Sequence, residues 1–101
     1  MKISFDPAKR EWTLKERGLD FDDAVAIFAG PTFTFEDNRF DYPEIRFVTV
    51  GFLNDRMIVL VWTPDADRTS GECRRIISMR KANGRAQARY SQRFGKAGRH
   101  D

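Results

Sequence analysis

The chain has few of the residues that mark secreted, zinc-binding or histidine-dependent proteins. Among 101 residues there is one cysteine, Cys73, and one histidine, His100. A single cysteine excludes an internal disulfide and favours a reducing compartment. The sequence contains no zinc-site spacing, no glycine-rich phosphate loop and no Ser-His-Asp set. His100 belongs to the C-terminal tail, so we assign it no catalytic role.

Long apolar runs are also absent. No stretch approaches the roughly 18 residues of a membrane span, and no apolar N-terminal run resembles a signal peptide. We therefore expect a soluble, cytoplasmic protein that does not associate with membranes. Hydrophobic residues still make up 41% of the chain, enough for a packed core, so length and composition predict one domain over residues 1–101. We expect residues 95–101 to form a frayed basic tail.

Acidic residues are nearly missing from the last quarter of the chain. Residues 1–72 contain 9 Lys/Arg and 14 Asp/Glu, a net charge of −5, whereas residues 73–101 contain 9 Lys/Arg and only Asp101, a net charge of +8. Such a concentration of positive charge is self-repulsive unless a polyanion binds to it. The charge distribution therefore favours a nucleic-acid partner.

Hydrophobic periodicity and turn residues predict an α+β fold in the order β-α-α-β-β-β-β-α. The strands are expected at residues 2–5, 32–36, 44–53, 57–63 and 73–80, and the last helix at 82–94. Hairpin links between the later strands indicate a mostly antiparallel sheet of four to five strands, with the helices on one face. The continuous apolar run at 57–63 is typical of a central strand. Residues 37–43 and 64–72 are read as polar loops.

The first helix is expected to follow Asp6 as N-cap and Pro7 as first helical residue, and to end before Gly18. Trp12 is the expected apolar anchor of this helix. The helix is mixed in charge but partly basic, through Lys9, Arg10, Lys15 and Arg17.

A second helix should open at Asp20, with Asp23 in a capping-box-like position. Its predicted buried face consists of Phe21, Ala24, Val25 and Phe28. The acidic cluster of Asp20, Asp22 and Asp23 is better explained by N-capping than by a metal site.

The stretch from Arg74 to Tyr90 combines a strand with a basic helix. Strand alternation predicts Ile77 and Met79 on the face towards the helices, with Ile76, Ser78 and Arg80 on the opposite, solvent face. At residue 82 the period changes to that of a helix, and Arg85, Arg89 and Arg93 fall on one stripe. This arrangement places many guanidinium groups in a small volume.

Several motifs in this chain resemble one family over nearly its whole length. They are Phe5-Asp6-x-x-Lys9, Gly18-Leu19-x-Phe21, Glu44-x-Arg46 and, most specific, Arg75-Ile-Ile-Ser-Met-Arg80-Lys-Ala82 followed by Tyr90. The chain resembles the BrnT toxins, the ribonuclease partners of BrnA antitoxins in bacterial type II toxin–antitoxin pairs, which are similar in fold to RelE.

The resemblance implies a ribonuclease that cleaves RNA without a metal or other cofactor and inhibits translation and growth. It also implies a cognate BrnA-like, DNA-binding antitoxin, in a heterotetramer of two toxins and two antitoxins. Operator DNA would be contacted only through the antitoxin.

Metal-free RNA cleavage needs a base for the ribose 2′-OH, cations for the phosphorane and an acid for the leaving oxygen. The candidate catalytic residues are Arg80, Tyr90, Arg17 and the position of Ala86. Candidate RNA-binding residues are Lys9, Ser78, Lys81, Arg85, Arg89 and Arg93.

The chain departs from the family pattern at three places. Family members usually have Asn where this chain has Thr13, Lys-His where it has Glu16-Arg17, and commonly Glu where it has Ala86. An arginine at position 17 does not shuttle protons at neutral pH but stabilises phosphate charge. Because the family commonly has Glu at position 86, one interpretation of Ala86 is that the toxin is inactivated at this position, naturally or deliberately.

Ordinary structural explanations compete with each assignment. The arginines of the last helix are also explained by a solvated helix face, and Tyr90 by a position at the edge of a core. Arg17 is explained by a favourable cation at a helix C-terminus, and Ala86 by the high helix propensity of an alanine-rich segment. A non-catalytic nucleic-acid-binding module is the alternative function. Few aromatic residues accompany the cations of residues 74–99, only Tyr90 and Phe94, which counts modestly against that module. A pure protein-interaction partner is a third possibility.

Overall fold

The computed structural model describes residues 1–65 and 72–98, with side chains described as far as residue 94. Five strands form one mixed sheet in the order β1-β5-β4-β3-β2. The strands are β1 (Lys2–Phe5), β2 (Phe33–Glu36), β3 (Phe47–Leu53), β4 (Arg56–Pro64) and β5 (Cys73–Lys81). Neighbouring strands are antiparallel except for β1 and β5, which are parallel. The apolar strand β4 is central, as predicted.

Within the described residues, three α-helices accompany the sheet: α1 (Pro7–Arg17), α2 (Ala24–Ala29) and α3 (Gly84–Gly98). The predicted caps of α1 are confirmed: the Asp6 side chain accepts a hydrogen bond from the Ala8 N–H, and Gly18 is left-handed with φ 68°. No helix in the described part of the chain is long and apolar enough to cross a membrane.

The second helix begins later than predicted, after a 3-10 turn at Phe21–Asp23. Asp20 caps this turn by accepting the Asp22 N–H, and it also pairs with Arg10 at 2.8 Å, whereas Asp23 makes no side-chain cap. Because a 3-10 turn advances three residues per turn, the buried positions are Phe21, Ala24 and Ile27. The prediction that Val25 is buried is wrong, since it is exposed.

The sheet is covered on both faces, so the expectation that all helices lie on one face is wrong. One face carries the core under α1 and α2: Leu19, Phe21, Ala24, Ile27, Ile58, Leu60, Trp62, Ile76 and Met79. The other, which we call the α3 face, carries Val48, Val50, Met57, Val59 and Ala82, with Ala86, Tyr90 and Phe94 of α3 packed against them. β4 is thus buried from both sides, which explains its unbroken apolar sequence.

A β-bulge between β4 and β5 alters the predicted alternation of the last strand. Met79 pairs with Leu60, but beyond the irregularity at Val61/Trp62 the partner of Trp62 is Ile76. Ile76 and Met79 therefore share the core under α1 and α2, while Ile77 is half-buried. The prediction that Ile76 lies opposite to Met79 is wrong because the bulge adds a residue to one strand.

Two smaller expectations also fail. Trp12 does not anchor α1: it is 53% exposed and lies under the Arg17 guanidinium, 5.0 Å from the ring centroid, while Thr13 is the buried residue of this helix. α3 starts at Gly84 rather than at residue 82, because Asn83 acts as its N-cap and its side chain accepts the Ala86 N–H at 2.8 Å.

The end of α3 is also later than expected. The helix continues to Gly98, so it includes part of the segment predicted to be frayed. Residues 99–101 of that segment, His100 and most of the predicted loop at 64–72 lie outside the described residues.

Candidate active site

A cleft opens on the α3 face between the middle of α3 and the chain segment that leaves β2. Its volume is about 290 Å³, and its floor is formed by Val48, Val59 and Val61. Its walls are lined by Phe35, Glu36, Asp37, Asn38, Arg39, Arg80, Arg89 and Tyr90. The cleft thus combines an apolar floor with a cationic and aromatic rim.

Strand register brings Arg80 into this cleft. Arg80 pairs with Val59 of β4, so both side chains lie on the α3 face rather than under α1 and α2. Arg80 is half-buried and lines the cleft, so it does not simply face solvent as the alternation predicted. Ser78 pairs with Val61 on the same face and is also half-buried.

Helix α3 supplies the opposite wall with Arg89 and Tyr90. Asn83 fixes the start of the helix, because its backbone carbonyl accepts the Gln87 N–H at 2.8 Å in addition to the side-chain cap. Tyr90 packs its ring 5.6 Å from that of Phe33 and 6.1 Å from that of Phe35. In the described part of the chain the Tyr90 hydroxyl has no hydrogen-bond partner, so it remains available to a ligand.

The arginines of the cleft differ from one another in their pairing. Within the described residues, four arginines are held by carboxylates, and only Arg39 of these lines the cleft: Arg10 by Asp20, Arg39 by Asp37, Arg46 by Glu44 and Arg74 by Glu72. Arg80, Arg85 and Arg89 form no ion pair within residues 1–65 and 72–94. Within the described residues, the positive charge of Arg80 and Arg89 is therefore not neutralised by an ion pair, which suits a polyanionic ligand.

Asp37 and Arg39 form the third wall of the cleft. The buried Asp37 carboxylate accepts two hydrogen bonds from the Arg39 guanidinium, both at 2.8 Å, and one from the Tyr42 hydroxyl at 3.2 Å. These bonds, those from Arg39 first, lower the pKa of Asp37 to about 2 in spite of its burial. Asp37 is therefore ionised and fully occupied at neutral pH, and it fixes the plane of Arg39.

The other predicted residues lie elsewhere. Arg17 donates to the Met79 carbonyl at 3.0 Å and stacks on Trp12, at the α1 side of β5. Lys9 is exposed on α1, and Lys81 lines a separate opening near the β3–β4 turn. Arg85 is exposed near the start of α3.

Arg93 lies farther along α3, with its guanidinium 4.5 Å from the centroid of the Phe33 ring. Its position on the helix is one turn beyond Arg89, so it extends the basic surface of α3 past the cleft.

Ala86 is half-buried and packs against the core of the α3 face. It therefore does not lie on an exposed helix surface. Residue 86 precedes Arg89 by three positions and Tyr90 by four, so all three share one side of α3. A longer side chain at 86 would therefore extend beside the residues that line the cleft.

Sequence reasoning missed the contribution of β2 and the segment that follows it. Phe35, Asp37 and Arg39 were assigned to a short strand and a polar loop without functional weight. The spacing Asp37-x-Arg39 was a weak signal, since an Asp that accepts the N–H two residues on is common in loops. The tertiary structure brings these residues to α3, through the ring contact of Phe35 with Tyr90 and the shared cleft.

Most of the chain matches one protein family. A family model described as the ribonuclease toxin BrnT of type II toxin–antitoxin systems matches residues 5–85. The chain therefore belongs to the BrnT family of ribonuclease toxins. No curated protein matches the chain. Ala86, Arg89 and Tyr90 lie beyond the matched range.

Proposed function

We propose that this protein cleaves RNA in the cleft between β5, β2 and α3, without a metal cofactor, and thereby inhibits translation and growth. One observation carries the proposal: Arg80 and Arg89 come from separate elements, line the same cleft as Tyr90, and are unpaired within the described residues. Guanidinium groups from two directions are suited to hold a phosphate by several charge-assisted hydrogen bonds.

The proposed reaction is transfer of a phosphodiester to the neighbouring ribose. The 2′-oxygen forms a bond to phosphorus, the bond from phosphorus to the 5′-oxygen breaks, and a cyclic 2′,3′-phosphate results. The 2′-proton passes to a base, and the departing 5′-oxygen receives a proton. Arg80 and Arg89 stabilise the charge on the phosphorane, and the Tyr90 hydroxyl protonates the leaving oxygen in this proposal.

The two carboxylates that line the cleft are not suited to act as the base. Asp37 is occupied by Arg39 and Tyr42. Glu36 also lines the cleft, but it pairs with Phe47 of β3, which packs against the core under α1 and α2. Because paired residues share a face of the sheet, the Glu36 side chain belongs to that face rather than to the α3 face. We propose that the glutamate common in the family at position 86 supplies the base, and that Ala86 makes this chain a slow enzyme that still binds RNA.

The remaining basic residues have supporting roles in this proposal. Arg85 and Arg93 extend the cationic surface along α3, Ser78 adds a hydroxyl on the face of β5 that carries Arg80, and Lys81 adds charge at the separate opening near the β3–β4 turn. Arg17 steadies the strand at Met79 beside Arg80, and Lys9 adds positive charge on α1.

A partner that masks the cleft follows from the same charge distribution. We propose a cognate BrnA-like antitoxin that covers the basic surface of α3 in a heterotetramer of two toxins and two antitoxins in the cytoplasm. The antitoxin alone would contact operator DNA, because the cleft arginines would be occupied by its acidic segment. The uncompensated charge of Arg80, Arg85 and Arg89 supports this arrangement.

The test is the substitution Ala86→Glu. Since a general base contributes roughly 10²–10⁴-fold in rate, we expect this variant to cleave RNA and arrest growth far more strongly than the original chain. Arg80→Ala in the same background should abolish the gain, whereas Arg56→Ala, at the β3–β4 turn, should leave it intact.

Three outcomes would change the conclusion. A folded Ala86→Glu variant that binds RNA but leaves it uncut would favour the non-catalytic binding module. Efficient cleavage by the unmodified chain would instead show that position 86 is not the base. Absence of RNA binding by both proteins would remove the proposal altogether.

A further inference from the structure

Phe35 is the exposed end of a row of aromatic rings on the α3 face. Its ring lies 6.2 Å from Phe33 with an interplanar angle of 23°, and 6.1 Å from Tyr90 with an angle of 34°. Phe33 and Tyr90 are half-buried, whereas Phe35 keeps 37% of its surface exposed. Two neighbouring rings therefore fix the orientation of Phe35 but leave part of it open.

The open part of Phe35 lines the cleft that holds the uncompensated arginines. Arg80 and Arg89 line the same cleft, and Arg39 borders it from the segment after β2. The bidentate contact with Asp37 holds the Arg39 guanidinium in one plane. A fixed aromatic ring beside cations is the combination by which proteins bind single-stranded nucleic acid: the cations hold phosphates, and the ring stacks on a base.

We propose that Phe35 is a nucleobase subsite, on which a base of single-stranded RNA stacks while the adjacent phosphate contacts Arg80 and Arg89. The planar Arg39 guanidinium lines the same cleft and stacks on the same base in this proposal, since guanidinium planes also stack on nucleobases. This proposal rests on the proposed function, since it assumes that RNA enters the cleft.

The subsite also supplies the stacking ring that the basic segment does not provide. Residues 74–99 offer only Tyr90 and Phe94, and both pack against the core of the α3 face. The stacking ring comes instead from β2, which lies three strands away from β5 in the sheet order. Within the cleft, the strands between them contribute the short side chains of the floor, Val48, Val59 and Val61. Phe35 and Arg80 can therefore line one cleft from opposite sides.

The experiment compares two oligomers of equal length and charge: a 2′-O-methyl oligoadenylate, which resists cleavage, and its fully abasic counterpart. The unmodified chain should bind the oligoadenylate more tightly by roughly 5- to 100-fold, the range that one base stack supplies. Phe35→Ala and Phe35→Leu should bind both oligomers equally, because both lack the aromatic plane. Phe35→Leu separates stacking from packing, since leucine retains apolar packing. Phe35→Trp should keep the preference. Phe40→Ala removes an exposed phenylalanine outside the cleft and should behave like the unmodified chain.

Each outcome decides the proposal. Loss of the preference in Phe35→Leu together with its retention in Phe35→Trp would support the subsite, with thermal melts verifying that both variants are folded. Equal binding of the two oligomers by the unmodified chain would overturn the subsite but leave phosphate binding by the arginines standing. A full preference in Phe35→Leu would overturn it as well. Binding of neither oligomer would overturn both the subsite and the proposed function.

Discussion

Asp37 is the only charged residue that is buried in the described part of the chain. Its carboxylate ties the end of β2 to the segment that follows, through Arg39 and Tyr42. The backbone is tied as well, since the Asp37 N–H donates to the Arg46 carbonyl at 2.8 Å. This residue therefore connects the stability of the loop with the geometry of the cleft wall.

The depressed pKa of Asp37 predicts how stability depends on pH. The folded-state pKa is about 2, against an ordinary value of 3.8. Because the folded value is lowered, the stabilisation is complete above pH 4 and is lost as the pH falls towards 2. Arg39 is largely exposed and screened by solvent, so we expect Asp37→Asn to cost on the order of 1–2 kcal/mol at pH 7.

Denaturant unfolding of both proteins between pH 7 and pH 2 measures this effect. The two free energies of unfolding should converge between pH 4 and pH 2. Asp41→Asn, a neighbouring exposed carboxylate, serves as the control and should show little difference at any pH. A difference between Asp37→Asn and the unmodified chain that stays constant down to pH 2 would contradict the assigned pKa.

Individual residues were predictable where their role is local. Asp6, Pro7 and Gly18 define the ends of α1 through backbone geometry that depends only on neighbouring residues. Phe35 and Arg39 could not be predicted as part of the site, because their importance depends on a cleft shared with α3, which follows some fifty residues later in the chain. Tyr90 was identified from sequence, but its contacts with Phe33 and Phe35 were not.

At the scale of elements, α2 packs closely on β3 because Gly51 has no side chain. A Cβ at Gly51 would lie 2.6 Å from Ile27 Cγ2 and 2.9 Å from Thr32 Cγ2. Both methyl groups belong to β-branched side chains, which have little freedom to rotate away. The close approach of helix and sheet therefore depends on this glycine.

A matched pair of glycine substitutions tests this packing. Gly51→Ala should destabilise the protein by about 1–3 kcal/mol, the usual cost of overpacking. Gly84→Ala, where a Cβ meets nothing within 4 Å, should be neutral or stabilise by up to about 1 kcal/mol through the better helix propensity of alanine. Thermal melts of the two variants provide the comparison. Similar melting temperatures for both would show that α2 can shift away from β3 at little cost.

The elements themselves were largely predictable, whereas their phases and faces were not. All five strands and the three helices appear in the expected order, and the central strand is β4. The bulge at Val61/Trp62 and the 3-10 turn at Phe21–Asp23 each change a local period, so Ile76 and Val25 were placed on the wrong faces. The side of the sheet on which α3 packs depends on the long-range contacts of Tyr90 and Phe94.

Over the whole molecule, the sheet separates two tasks. The face under α1 and α2 buries most of the large apolar side chains. The α3 face has a smaller core and leaves a cleft in which Arg80 and Arg89 form no ion pair within the described residues. Two arginines of the basic C-terminal segment thus meet on one face of the sheet.

RNA binding as a function of salt tests this account most directly. Each phosphate contact in a single-stranded complex contributes about −0.7 to the slope of log K against log salt. Replacing Arg80 and Arg89 by alanine, one at a time, should weaken binding and reduce the slope by about that amount for each residue. Arg56→Ala, which removes an exposed arginine from the β3–β4 turn, should change neither. Affinity that is indifferent to salt, or that falls equally with Arg56→Ala, would contradict the assignment of the cleft as the RNA site.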